Sequence, residues 1–594
     1  MGDAGSVREL VSSAGSANDA RFSPDGRSIA VVREGDLFVL DVATGTERRL
    51  TTRTSPSIEY GTAEFVAQEE MSRFEGYWWS PDSASLLVEE ADSSTVEAMH
   101  ILDPLHPENE PESPPYPRPG RENVRVRLGI LPATGGAMRW VSWDAVRYPY
   151  LATARWPANR GPVIVVQDRE QQHEALLSID PATGETREVL VEEDAAWLNL
   201  DQDVPRFLAD GTFLWTSERG GALRLELRGA DGTLLRPLTP EAFGYASLVG
   251  LDEAGRRAFV LASEDASQMQ VWSVPLDGGG EPTRLTEGDG VSEAVFSELD
   301  AWVHIARTMA AGRVATVRRA DASAAGVITA NGESPTFTPT TTFEVVGERG
   351  FRTAITRPRN YAEGTRYPVL LYVYAGPGVR HVLRDRDRWL LPQWFADNGY
   401  VVVSVDGRGT PGRGRDWERA IDGDFATVAL EDQVAGLQAL GANHPEMDLS
   451  RVGVYGWSFG GYFSAMATIR RPDVFRCGIA GAPVTEWRDY DTHYTERYLG
   501  LPEADDATDG PYRRSSVLTY AAAADGERRP LLIVHGTADD NVYFSHALKL
   551  TDAMLRAGRP FDLLPLAGFT HMVPEPTVAQ RLNERMIGFF REHL

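Results

Sequence analysis

Val452-Gly453-Val454-Tyr455-Gly456-Trp457-Ser458-Phe459-Gly460-Gly461 is the stretch on which the reading turns. An apolar run of strand character, 452–455, meets Gly-x-Ser-x-Gly and passes straight into a segment with helical patterning, 461–470. That context is a nucleophile elbow: a turn tight enough to expose the serine hydroxyl above a sheet, with glycines where strand and helix cross closely. Gly-x-Ser-x-Gly alone is common by chance; strand and helix around it give it weight, and Ser458 becomes the candidate nucleophile.

Working outward, 369–374 and 401–405 are further apolar runs, alternating with helical patterns at 389–398, 426–442 and 545–557. Such alternation predicts a doubly wound, mostly parallel sheet of the α/β-hydrolase kind, opened by a strand pair at 341–346 and 352–357. N-terminal to it, 18–335 holds short strand-like runs separated by turns, with loose units of 40–50 residues. In 20–50 the turn Ser23-Pro24-Asp25-Gly26 precedes the alternations Ile29/Val31 and Leu37/Val39, and Gly45 turns the chain again. Echoes at Ser80-Pro81-Asp82, Asp180-Pro181, Asp210-Gly211 and Asp277-Gly278 predict an all-β propeller-like domain of six or seven blades. The expected division is 1–336 and 337–594, since 594 residues exceed what one core supports. The Pro- and Glu-rich stretch 104–119 reads as an exposed loop.

A serine hydroxyl needs a base, and the base an orienting acid. In this fold class the chain order is Ser, acid, His. His571 follows the strand-like 561–566 in a loop, whereas His493 precedes any suitable acid and His593 lies in the terminal helix. The strand 531–535 ends at His535 and runs into Gly536-Thr537-Ala538-Asp539-Asp540-Asn541, placing Asp539 and Asp540 at the carboxyl edge of the sheet. Spacing leaves both acids open.

Several segments together resemble the dipeptidyl peptidase IV-type branch of the prolyl oligopeptidase family. They are Tyr372-Val373-Tyr374-Ala375-Gly376-Pro377, the elbow itself, Ala482-Pro483-Val484-Thr485, Tyr494-Thr495-Glu496-Arg497-Tyr498 and His535 to Val542. In the β-rich part the likeness rests on 63–71, with its pair Glu69-Glu70, and on 76–82. The resemblance selects Asp539 as the acid and implies that Tyr374 joins the Phe459 N–H in holding the oxyanion. Losing one such donor typically lowers the rate about 10²–10³-fold. It also implies that Trp487, Tyr490, Tyr494, Val484 and Val542 wall the pocket for the residue before the cut bond, and that Asn541 bonds a substrate carbonyl.

Adjacent carboxylates such as Glu69 and Glu70 are usually a solvated pair. Within a motif resembling the family's they would instead bind the α-ammonium of a peptide and so measure off an N-terminal dipeptide, X-Pro or X-Ala. An assisting arginine is implied too, with Arg73 and Arg169 as candidates. Fewer residues precede Glu69 than is usual in the family, which bears on the blade count. Rival readings are a tripeptidyl or acylaminoacyl peptidase, a prolyl endopeptidase, or an inactive binding protein.

Composition narrows partners and setting. A net charge of −27 disfavours a nucleic-acid partner. With 42% hydrophobic and 24% charged residues the chain is ordinarily globular, and no run nears the roughly 20 apolar residues of a membrane span. The lone Cys477 permits no intrachain disulfide, and residues 1–5 do not resemble a signal peptide, so a cytoplasmic location is expected. No cofactor or metal is implied by the spacing of His, Cys and acids. The resemblance implies a homodimer acting on peptides with a free N-terminus.

Overall fold

A computed structural model describes residues 16–297, 301–502, 510–523 and 526–594. Among them, the first half forms six antiparallel sheets in succession, spanning 18–49, 58–140, 150–193, 206–237, 245–284 and 291–328. Five are four-stranded meanders in sequence order, and the second has five strands. This is the β-propeller-like arrangement, with the lower of the two expected blade counts. Its turns fall where Gly and Asp allow them: Ser23 accepts from the Gly26 amide at 2.8 Å, and the Ser80 carbonyl accepts from Ser83 at 2.9 Å. Alternation then buries Ala30, Val32, Leu37 and Val39 against Tyr77, Leu86 and Val88 of the next sheet.

The second half is an eight-stranded sheet in the order Thr341–Val346, Phe351–Thr356, Val401–Asp406, Tyr367–Tyr372, Met447–Trp457, Phe475–Gly481, Leu531–Gly536, Phe561–Leu566. The first three strands pair antiparallel, and from Val401–Asp406 onward every pairing is parallel. Helices cover both faces, which is why the central strands are apolar without interruption. Val369, Leu371, Val401 and Val403 pack with Val434, Leu437 and Phe463 on one side. Leu370, Val402, Tyr455 and Ile479 pack with Met586, Ile587 and Phe590 on the other. Cys477 is fully buried in this second layer, as its apolar setting predicts.

The expected helices are observed as Leu390–Asp397, Thr427–Asn443, Phe459–Arg470 and Ser545–Arg556, shifted by two residues at most. One expectation fails. The stretch 104–119 is exposed over most of its length, but Tyr116 is 1% exposed and Pro117 and Pro119 are buried. The reason lies outside the stretch: it ends against the hydrolase half, where Thr492 donates to the Pro117 carbonyl at 3.1 Å and Arg118 pairs with Asp489 at 3.1 Å. Among the described residues no helix is long and apolar enough to cross a membrane.

Candidate active site

Ser458 sits between the strand Met447–Trp457 and the helix Phe459–Arg470 with φ 58° and ψ −120°. That left-handed backbone is unfavourable for a residue with a Cβ and persists only because the surroundings impose it. They do so through close contacts. A Cβ on Gly456 or on Gly460 would lie 2.3 Å from the Val373 carbonyl oxygen, so only glycine lets helix and strand cross here. Ser458 N–H donates to the Gly481 carbonyl at 2.9 Å, tying the turn to the neighbouring strand. Phe459 begins the helix, so its N–H lacks an intrahelical acceptor and is free for a ligand.

The strand Leu531–Gly536 delivers Asp539, and Phe561–Leu566 delivers His571, both past carboxyl ends of strands next in order after the elbow. His571 Nδ1–H donates to Asp539 Oδ2 at 2.8 Å. Asp540, the rival acid, is exposed. Asp539 Oδ1 accepts from the amides of Asn541 (3.1 Å) and Val542 (2.8 Å), and Oδ2 also lies 3.3 Å from His535 Nε2. Burial pushes the Asp539 carboxyl up, yet the hydrogen bonds from His535 and His571 outweigh it and hold the group down at about 2. With Nδ1 as donor, His571 presents Nε2 as an acceptor, the tautomer a general base needs. The Trp457 indole donates to the His571 carbonyl at 2.8 Å and so pins the histidine loop to the elbow. Among the described residues no hydrogen bond joins the Ser458 hydroxyl to His571; such contacts often close only when substrate arrives.

Tyr374 is mostly buried, its ring 5.8 Å from that of Phe459. Burial, with the nearby Glu70, raises its hydroxyl pKa, so it stays a donor at neutral pH. Trp487 and Tyr494 lie parallel at 5.9 Å, and Tyr490 stands edge-on to Tyr494 at 5.5 Å. Val484, Trp487 and Val542 are at most 2% exposed and belong to one core cluster with these tyrosines and Phe425. Tyr490 donates to Asn541 Oδ1 at 3.0 Å.

Glu69 and Glu70 close the short helix Phe65–Glu69, whose first amides are capped by Glu64 at 2.8 and 2.9 Å. Burial and the neighbouring Glu89 push Glu64 up to about 7. Asn541 Nδ2 donates to Glu69 Oε1 at 2.7 Å, so the β-rich half reaches the loop that carries Asp539. Burial raises Glu69, and Asp540 and Asp539 add to the rise, while His571 opposes it. Glu70 is half-buried and lies near the buried Asp491; burial and the Asp491 charge hold Glu70 well above the ordinary range, while burial, with the charges of Glu69 and Glu496, raises Asp491 to about 7. Asp491 Oδ1 accepts from the Tyr494 N–H at 2.9 Å, while its Oδ2 is buried without a hydrogen-bond partner. The site is therefore short of positive charge.

Neither arginine candidate supplies it. Arg73 is buried against Glu89 at 2.5 Å, and Arg169 binds Glu496 at 2.5 Å. The arginine whose charge reaches Glu70 is Arg497, which also donates to Gln171 and keeps one buried nitrogen without a partner. Sequence reasoning missed Arg497, Asp491 and Tyr116. Arg497 stood inside a quoted segment, and Asp491 caps the helix Thr492–Leu499, so both carried a local signal. A cavity of about 970 Å³ between the halves is lined by Glu70, Arg497, Tyr498, Trp197 and Tyr245, but not by Ser458 or His571. Among the described residues no group of His, Cys, Asp and Glu is arranged to hold a metal ion.

The comparisons agree with this geometry. Residues 3–303 match the family model described as the dipeptidyl peptidase IV N-terminal region, and residues 388–594 match the prolyl oligopeptidase family. Similar relatives include dipeptidyl peptidase 8 of Mus musculus, 28% identical over 97% of this chain and 75% of the relative. Venom dipeptidyl peptidase 4 of Apis mellifera is 26% identical over 91% of this chain and 75% of its own. Among solved structures, dipeptidyl peptidase 4 of Porphyromonas gingivalis superposes with a TM-score of 0.88 at 27% identity, covering 98% of this chain and 84% of that one. The chain belongs to the prolyl oligopeptidase family of serine peptidases, in the branch that carries a dipeptidyl peptidase IV-type N-terminal region.

Proposed function

We propose that this peptidase releases N-terminal dipeptides, X-Pro or X-Ala, from peptides with a free amino end. Ser458 attacks the carbonyl of the second residue while His571 Nε2 takes its proton. Tyr374 and the Phe459 N–H hold the resulting oxyanion. Asp539 orients His571 and stabilises its charged form. Collapse expels the remaining peptide as an amine protonated by His571, and water, activated by the same histidine, then hydrolyses the ester. The aromatic group of Tyr490, Tyr494 and Trp487 takes the Pro ring or Ala methyl, with Val484 and Val542 behind it. Asn541 holds a substrate carbonyl.

The observation that carries this reading is the carboxyl cluster of an exposed Glu69, a half-buried Glu70 and a buried Asp491, with Glu70 and Asp491 held above the ordinary range, beside Asn541 of the Asp539 loop. An arriving α-ammonium supplies positive charge to these carboxyls and favours their ionised forms. Replacing Glu69 or Glu70 by Gln should lower kcat/KM on a Gly-Pro chromogenic substrate about 10²–10³-fold, the usual loss when one partner of a desolvated charge pair is removed. The sign with pH follows: a raised carboxyl is neutral at low pH, so free-amine substrates bind progressively less well as pH falls through about 7. Equal cleavage of an N-blocked substrate by the unaltered enzyme would refute the reading and favour an endopeptidase.

The same reading places the enzyme in the cytoplasm and pairs it as a homodimer. Exposed Leu548 and Leu555 on the helix Ser545–Arg556 support the pairing, and sedimentation velocity should return about twice the chain mass of 65.3 kDa. A monomer across micromolar concentrations would exclude it.

A further inference from the structure

Tyr116 touches both arms of the site and belongs to neither. Its ring packs against Phe65 of the glutamate helix, with centroids 5.3 Å apart, and meets Tyr543 edge-on at 4.9 Å on the other side. Its hydroxyl donates to the Asn541 carbonyl at 2.9 Å. Asn541 in turn bonds Glu69 through its side chain and Asp539 through its amide. The aromatic ring therefore fills the gap between the helix bearing Glu69 and Glu70 and the loop bearing Asp539.

The backbone that presents it is stiff. Tyr116 lies in Pro114-Pro115-Tyr116-Pro117-Arg118-Pro119, where four prolines fix φ. The run is held at several points: Tyr116 N–H to the Glu97 carbonyl at 2.8 Å, Arg118 to Glu97 at 2.6 Å and to Asp489 at 3.1 Å, and Gly120 N–H to Glu496 at 2.7 Å. A flexible loop has no use for such anchoring. A strut that keeps two parts of an active site at a set separation does.

We infer that Tyr116 is a positioning residue: it spaces the Glu69–Glu70 helix from the Asp539 loop and thereby sets which peptide bond, counted from the amino end, reaches Ser458. This rests on the reading that the two glutamates hold that amino end. A rigid ring gives one spacing and so one register; a thinner side chain lets the helix approach the loop and blurs the count.

The experiment compares the full-length protein with Tyr116→Phe and Tyr116→Leu on Gly-Pro and Ala-Ala-Pro chromogenic substrates, with fluorophosphonate labelling as a measure of Ser458 reactivity that needs no amino end. In Y116L, kcat/KM on Gly-Pro should fall about 10²-fold, the loss expected from misplacement near 1 Å, while the labelling rate stays within about threefold. The ratio of Ala-Ala-Pro to Gly-Pro cleavage should rise at least about tenfold, a change in register that mere loss of packing would not produce. Y116F keeps the ring and should hold the unaltered ratio. An unchanged ratio in Y116L, or labelling that falls in parallel with cleavage, overturns the proposal. Should Y116L not fold, Phe65→Leu thins the same contact at a half-buried residue and is judged by the same ratio. If the unaltered enzyme cleaves N-blocked and free substrates alike, it is the amine reading that fails, and the wild-type arm shows this before any variant is considered.

Discussion

Replacement of Ser458 by Ala is expected to lower kcat about 10⁶-fold and to abolish fluorophosphonate labelling, with the fold intact. The size of the effect follows from the chemistry. Without the hydroxyl no acyl-enzyme forms, and what survives is the modest acceleration from Tyr374, the Phe459 amide and substrate binding acting on water. The small effect on stability follows from the structure. The turn at 58°, −120° is imposed by the contacts of Gly456 and Gly460 with Val373, which alanine leaves untouched, and alanine suffers the same backbone strain as serine. The melting temperature should therefore match the parent's within a change of about 0.5 kcal/mol. Residual activity above roughly a thousandth of the parent, by active-site-titrated kinetics, would mean that Ser458 is not the nucleophile.

Asp539→Asn should reduce kcat about 10⁴-fold through a single tautomer. Oδ1 of Asp539 accepts from two amides, Asn541 and Val542. An asparagine must turn its carbonyl toward those donors, which aims its NH₂ at His571. The imidazole then has to accept at Nδ1 and carry its proton on Nε2, where it can no longer take one from Ser458. A second consequence is thermodynamic. Asp539 is held at about 2, below the ordinary carboxylate value, so its ionised form stabilises the fold by roughly 2 kcal/mol at neutral pH. That contribution is complete above the unfolded value near 4 and disappears as pH falls through about 2. The stability deficit of D539N at pH 7 should accordingly shrink toward pH 2, measured by denaturant unfolding. A variant of near-parental kcat would instead point to Asp540.

Much of this site was legible from residue order. The elbow is a local device: a strand, a turn too crowded for any Cβ at Gly456 or Gly460, and a helix must follow one another, and each leaves a mark in adjacent residues. The parallel sheet was legible because burial on both faces removes polar residues from Val369, Leu370 and Leu371 and from Val401, Val402 and Val403. Six antiparallel sheets could be read off turn residues, with only their number left soft. The 104–119 stretch misled because proline and glutamate usually mean a solvated loop, and nothing nearby announces that Tyr116 will meet Asn541, 425 residues on.

The sequence by itself determined the two-part architecture and pointed to the serine, the histidine and, through the resemblance, the pair of glutamates, since each is marked by short-range pattern. Only the tertiary structure showed Asp539, the acid the resemblance had selected, bonded to His571, assigned Arg73 to Glu89 and Arg169 to Glu496, and brought Arg497, Asp491 and Tyr116 to the glutamates. The physical reason is that these depend on electrostatics and packing between segments hundreds of residues apart. Whether a carboxyl is charged or paired follows from its burial and neighbours, which residue order does not encode locally.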